Sequence, residues 1–136
     1  VVGRALALPE EIFNRKPFPG PALSARVIGE VDPERIAVVR RATAVCERHL
    51  EKAPVFQYMA ILHSDRVPGM RDGRRVYGRQ IEVRCWNSLD ARQATPTRLP
   101  WETLEAIAAD LLRELPEVVS VTYNIAPKPP STMEAV

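Results

Sequence analysis

The stretch LPEVVSVTYNIAPKPPSTME, residues 115–134, reads as a strand that delivers a cationic loop. Val119, Val121, Tyr123 and Ile125 fall on one side of a two-residue period, and Val118, Ser120, Thr122 and Asn124 on the other. That alternation marks a half-buried strand. Pro127 has no N–H to donate and ends the ladder. In Lys128-Pro-Pro-Ser-Thr132 the prolines predict a stiff, extended backbone. Such a loop holds one ammonium, two hydroxyls and several N–H groups in fixed directions, which suits an anion such as phosphate. The same composition also fits a proline-rich tail frayed into solvent, and spacing alone leaves both readings open.

Working back from this strand, Pro100 opens a helix that runs to about Glu114, with Trp101, Leu104, Ile107, Leu111 and Leu115 as its apolar stripe. Residues 87–99 are polar and irregular. Val55 to Leu62 fits a buried strand, and Val76 to Trp86 a second one, with Ile81, Val83 and Cys85 facing one way and Gln80, Glu82, Arg84 and Trp86 the other. Between them, His63 to Arg75 reads as a loop or hairpin tip with Asp72-Gly73 as the turn. Asp32-Pro-Glu-Arg35 starts a helix that ends near Leu50: a capping side chain, a proline in first position and an acid in the first turn. Leu23 to Ile28 reads as a short strand ended by Gly29. The order strand, helix, strand, strand, helix, strand predicts an α+β two-layer sandwich, a mostly antiparallel sheet of three or four strands with two helices on one face. The other face carries Gln80, Arg84, Trp86, Thr122 and Asn124, so it meets water or a second subunit. Residues 1–15 read as a linker or the remnant of a preceding domain, Lys16-Pro-Phe-Pro-Gly-Pro21 as a rigid connector, and 16–136 as one domain.

Composition narrows the function. In 136 residues, 46% hydrophobic, there is material for one modest core. No run is long enough to span a membrane, and no signal peptide is visible. A net charge of +2 does not by itself argue for nucleic acid. Cys46 and Cys85 lie among apolar neighbours and read as buried free thiols, in keeping with a cytoplasmic protein. His49 and His63 are far apart and no CxxC or HExxH occurs, so no metal set is expected. His63 reads as a surface residue. No nucleophile elbow, Walker loop or dinucleotide fingerprint appears, and hence no self-sufficient catalytic centre. Arg66, Arg71, Arg74, Arg75 and Arg79 cluster around the hairpin tip, either as a solvated surface or as an anion site.

Several stretches, in order and across nearly the whole chain, resemble one family: Leu8-Pro-Glu-Glu-Ile12, Lys16-Pro-Phe-Pro-Gly-Pro-Ala-Leu23, Arg26-Val-Ile-Gly-Glu30, Gly69-Met-Arg-Asp-Gly-Arg74 with Tyr77, Arg98-Leu-Pro100 and Lys128-Pro-Pro-Ser-Thr-Met-Glu134. The chain looks like the C-terminal dimerisation domain of glutamine-hydrolysing GMP synthase. The resemblance implies an α+β domain that forms a homodimer through its sheet face and helps hold xanthosine 5′-monophosphate (XMP). In the family, an ATP-pyrophosphatase domain adenylylates the XMP base, using ATP and Mg, and ammonia from a glutaminase domain then displaces AMP. By position, Lys128 would pair with phosphate and Thr132 and Glu134 would hydrogen-bond the nucleotide, with Arg66 and Arg74 in the loop the family places near the site. The chain carries neither the pyrophosphatase nor the glutaminase signature. No cofactor is therefore expected in it, and a pyrophosphatase domain or subunit is the expected partner.

The sequence departs from the family mainly in loops. Ser131 and Met133 replace the usual Gly and Ile, and Ala135-Val136 replaces Trp-Glu. Ala22 replaces a glycine, Lys16 a histidine and Arg71 a glycine, and Ala91-Arg-Gln-Ala-Thr95 stands where the family has Gly-Met-Thr-Ala-Asp. Three readings follow: an XMP-binding and dimerisation module, a dimerisation module that has lost its ligand, or an RNA-contacting module that uses the arginines of the hairpin.

Overall fold

The computed structural model describes residues 22–136 and Pro9. The readings of residues 1–15 as a remnant and of residues 16–21 as a connector otherwise fall outside the described residues.

The Asp72-Gly73 turn builds the sheet. Both residues have positive φ, +50° and +73°, the requirement of the two-residue hairpin turn whose twist matches that of the strands it joins. Gln57–Arg71 (β1) and Arg74–Asn87 (β2) therefore pair antiparallel from Arg71 opposite Arg74 to Gln57 opposite Trp86. Most of the segment read as a loop, His63 to Arg75, is thus strand. Pro68 is tolerated because it stands opposite Tyr77 in a non-hydrogen-bonded pair, where β1 turns its N–H position outward. Between Leu62 and Arg66 β1 carries a bulge.

Thr95–Pro96 (β3) pairs antiparallel with β2 at Trp86 and Asn87, and Val118–Tyr123 (β4) pairs parallel with β2 at Arg79 to Val83. The short strand expected at Leu23 to Ile28 is instead a 3₁₀ turn over Ala22–Arg26, with only Val27 bridging to Leu62. The Val27 N–H is used locally, on the Ser24 carbonyl at 3.2 Å, and Gly29 at φ +91° turns the chain away before a ladder can form.

Pro33–Leu50 (α1) starts where its capping pattern requires: Asp32 Oδ1 accepts the Arg35 N–H at 2.8 Å. Its buried stripe is Val38, Val39, Ala42, Val45, Cys46 and Leu50. Trp101–Glu114 (α2) buries Ile107 and Leu111. Trp101, expected in the stripe, stands 70% exposed at the rim of a small apolar groove between α2 and β4. Both helices pack on one face of the sheet, against Ala60, Leu62, Ile81, Val83, Cys85 and Val118. The fold is the α+β arrangement of two helices on an open sheet. Both cysteines are buried and neither is in a disulfide. Among the described residues no helix is long and apolar enough to cross a membrane.

β4 changes phase once. Its register with β2 runs from Arg79 opposite Val118 to Gln80 opposite Ser120, so Val119 is an inserted residue. The bulge lets Val118, Val121 and Tyr123 all contact the helix-side core. Strict alternation would have separated Val118 from the other two.

Candidate functional site

Beyond β4 the chain doubles back across the sheet. The Asn124 N–H still donates to the Val83 carbonyl at 3.1 Å. Lys128 then forms a two-bond bridge with Ala94 on the loop that follows β2, at 2.8 and 3.1 Å. The Lys128–Pro129 and Pro129–Pro130 peptide bonds are both cis. The segment expected to be extended is instead a turn, closed by the Ser131 N–H on the Pro127 carbonyl at 2.9 Å. Met133 is buried in a second, smaller cluster with Trp86 and Ala94, with Phe56 beside it. This tail is docked, not frayed.

The turn and the returning tail wall a pocket of about 460 Å³. Lys128, Thr132 and Glu134 line it, together with Phe56 and Gln57 from the start of β1. Lys128 also faces a larger groove of about 890 Å³ formed with residues 87–95. Lys128 Nζ gives one hydrogen bond to the Ala91 carbonyl at 2.7 Å. An ammonium has three donors, so two stay available to an anion. The Thr132 hydroxyl donates to the Glu134 carbonyl at 2.8 Å, which leaves its lone pairs as acceptors. The pocket therefore offers a fixed cation, a hydroxyl acceptor and a carboxylate, beside the aromatic ring of Phe56.

The structure brings together three of the five residues read from the sequence. Arg66 and Arg74 lie elsewhere in the same chain. Arg74 closes the hairpin turn at the opposite end of β2 from the tail, roughly 40 Å of strand away at ~3.4 Å per residue. Arg66 is exposed and faces Arg79 across the hairpin.

Behind the pocket is a polar network on the sheet face away from the helices. Glu82, 8% exposed, takes bonds from three sides. Its Oε2 is 2.7 Å from His63 Nε2, while its Oε1 accepts from Arg84 Nε and, at 3.2 Å, from Asn124 Nδ2. Burial alone would raise the carboxyl's pKa. The bonds from Arg84, His63 and Asn124 outweigh that and hold it below its ordinary value. Arg84 then reaches the tail: one terminal nitrogen donates to the carbonyls of Thr132 and Glu134, each at 3.0 Å. His63, read as a surface residue, is partly buried and bonded into this network. Sequence reasoning does not single out Gln57, Glu82 and Arg84 as site residues. Their signal is weak: a glutamine within the apolar run 55–62, and charged residues at alternate positions of a strand. Nothing local says that the end of the chain returns to them.

Fold and tail together define a small α+β module whose C-terminal segment walls a pocket lined by Lys128, Thr132 and Glu134. The family profile described as GMP synthase C terminal domain matches residues 44–135. One subunit of the glutamine-hydrolyzing GMP synthase of Thermococcus kodakarensis is 44% identical over 98% of this chain, and the corresponding subunit of the Methanocella arvoryzae enzyme is 48% identical over 98%. The glutamine-hydrolyzing GMP synthase of Pyrobaculum aerophilum is 42% identical over 98% of the chain. The chain belongs to the GMP synthase C-terminal domain family. It spans 44% of the length of the first two relatives and 27% of the third.

Proposed function

We propose that the chain is the nucleotide-binding and dimerisation module of a GMP synthase, serving the conversion of XMP to GMP in the cytoplasm. In this reading Lys128 neutralises the XMP phosphate, and Thr132 and Glu134 hydrogen-bond the nucleotide. An ATP-pyrophosphatase domain or subunit supplies the ATP and Mg chemistry that adenylylates the base, and ammonia then displaces AMP. Two copies pair through the sheet, which leaves Arg66 and Arg74 for the neighbourhood of a completed site. The observation that carries the reading is the convergence of Lys128, Thr132 and Glu134 on one pocket wall, with two Lys128 donors uncommitted. A charge-assisted contact to phosphate contributes about 1.5–3 kcal/mol. Lys128→Ala should therefore weaken XMP binding roughly ten- to hundredfold in a calorimetric titration. XMP bound equally by both chains would overturn the role of Lys128. The absence of binding, alone and with a pyrophosphatase subunit present, would leave a pairing module without a ligand. Light scattering tests the dimer, and a monomer at micromolar concentration would refute it.

A further inference from the structure

We infer that Arg84 is a positioning residue that holds the tail pocket in shape, and that Glu82, clamped by His63 and Asn124, holds Arg84. The inference rests on the nucleotide reading of that pocket, but its geometric half can be tested without a nucleotide.

The pocket wall at Thr132 to Glu134 is not part of the sheet. It is tied to the body of the domain by the two bonds that Arg84 donates to the Thr132 and Glu134 carbonyls. Met133, between them, rests on Trp86. Both carbonyls meet one nitrogen of a guanidinium whose Nε is tied to Glu82. The direction of the fork is therefore fixed by a second contact, and a planar guanidinium can do this where an ammonium cannot. Glu82 is fixed in turn from β1 by His63 and from the segment after β4 by Asn124. The chain of contacts thus crosses three segments and ends on the backbone of the residues whose side chains face the ligand. Arg84 does not line the pocket; it acts through the tail.

Trp86 reports the tail directly. It is fully buried, and the chain's other tryptophan, Trp101, is 70% exposed and lies elsewhere. In a Trp101→Phe background all indole emission comes from Trp86. Arg84→Met removes both carbonyl bonds while keeping an unbranched side chain of comparable length. The emission should shift to the red as Met133 lifts, and XMP affinity should fall roughly ten- to hundredfold, the equivalent of one charge-assisted contact to the ligand lost when the wall moves. Arg84→Lys, which preserves charge and length but loses the fork, should fail to restore either readout. Should Arg84→Met not fold, the same two readouts on Arg84→Lys decide the matter. Glu82→Gln should give smaller changes of the same sign.

Unchanged emission in a folded Arg84 variant, or full restoration by lysine, overturns the inference. A red shift with XMP affinity intact also overturns it, because the tail would then move without consequence for the ligand. If the parent chain does not bind XMP, the nucleotide reading fails on its own, and the emission arm still decides whether Arg84 holds the tail.

Discussion

Ala91 sits with φ at +63°, in the left-handed region that suits glycine. Two local bonds hold it there: its own N–H goes to Ser88 Oγ at 2.9 Å, and the next N–H goes to Asp90 Oδ1 at 2.9 Å. Its carbonyl is the acceptor that fixes Lys128 Nζ. A side chain in this conformation costs ~1–2 kcal/mol, of which the extra chain entropy of glycine returns about half. Ala91→Gly should therefore stabilise the chain by up to ~1 kcal/mol and raise the melting temperature by a few degrees. A lowered melting temperature would show that the loop is shaped by contacts of the Ala91 methyl group.

At the scale of elements, Val119 explains two glycines. The β4 bulge turns its side chain across the hairpin, over Gly69 and Gly78. A Cβ at Gly69 would lie 2.6 Å from Val119 Cβ, and one at Gly78 would lie 2.5 Å from Val119 Cγ1. Gly78→Ala should destabilise the chain by about 1–3 kcal/mol, as overpacking in a tight contact does. The two positions differ in what can relieve them. Val119→Ala removes the Cγ atoms that crowd position 78 but not the Glu117 carbonyl at 2.9 Å, so the double variant should recover part of the loss. At position 69 the nearest atom is Val119 Cβ itself, which alanine keeps, so Gly69→Ala should not be rescued in the same way. Denaturant midpoints of the single and double variants would check this, and equal rescue at both sites would refute the assigned contact. Neither glycine announces itself in sequence, because the clash comes from a strand forty or more residues away.

For the molecule as a whole, Glu82 links the sheet, the hairpin and the tail, so its protonation should be felt globally. Its folded pKa lies below its unfolded value of about 4.5. The network therefore contributes its full stability above pH 4.5 and loses it as the pH falls from there through the lower folded value. Urea midpoints should fall more steeply with decreasing pH for the parent chain than for Glu82→Gln within that window, and the two curves should keep a constant separation above it. Parallel curves would mean that the carboxylate is not preferentially held in the folded state.

Local signals were enough for some of the elements. Asp32-Pro33 starts α1 and Asp72-Gly73 turns the hairpin, because each rests on backbone chemistry that neighbouring residues supply, whereas β4 ends at Tyr123, before Pro127 is reached. The family was also legible, carried by several short stretches spread in order over nearly the whole chain. Tertiary structure alone decided the rest. The strand expected at Leu23 to Ile28 became a 3₁₀ turn whose Val27 N–H bonds locally, and only the Ile28 N–H reaches across to the Leu62 carbonyl. The hairpin ran through Pro68 because that position faces an open edge. The segment after Lys128 folded back because Arg84, forty-four residues earlier, offers two hydrogen bonds to its carbonyls. A residue's own backbone preference is written where the residue stands. The partner that satisfies a distant carbonyl, or the side chain that fills the space above a glycine, exists only once the chain has closed on itself.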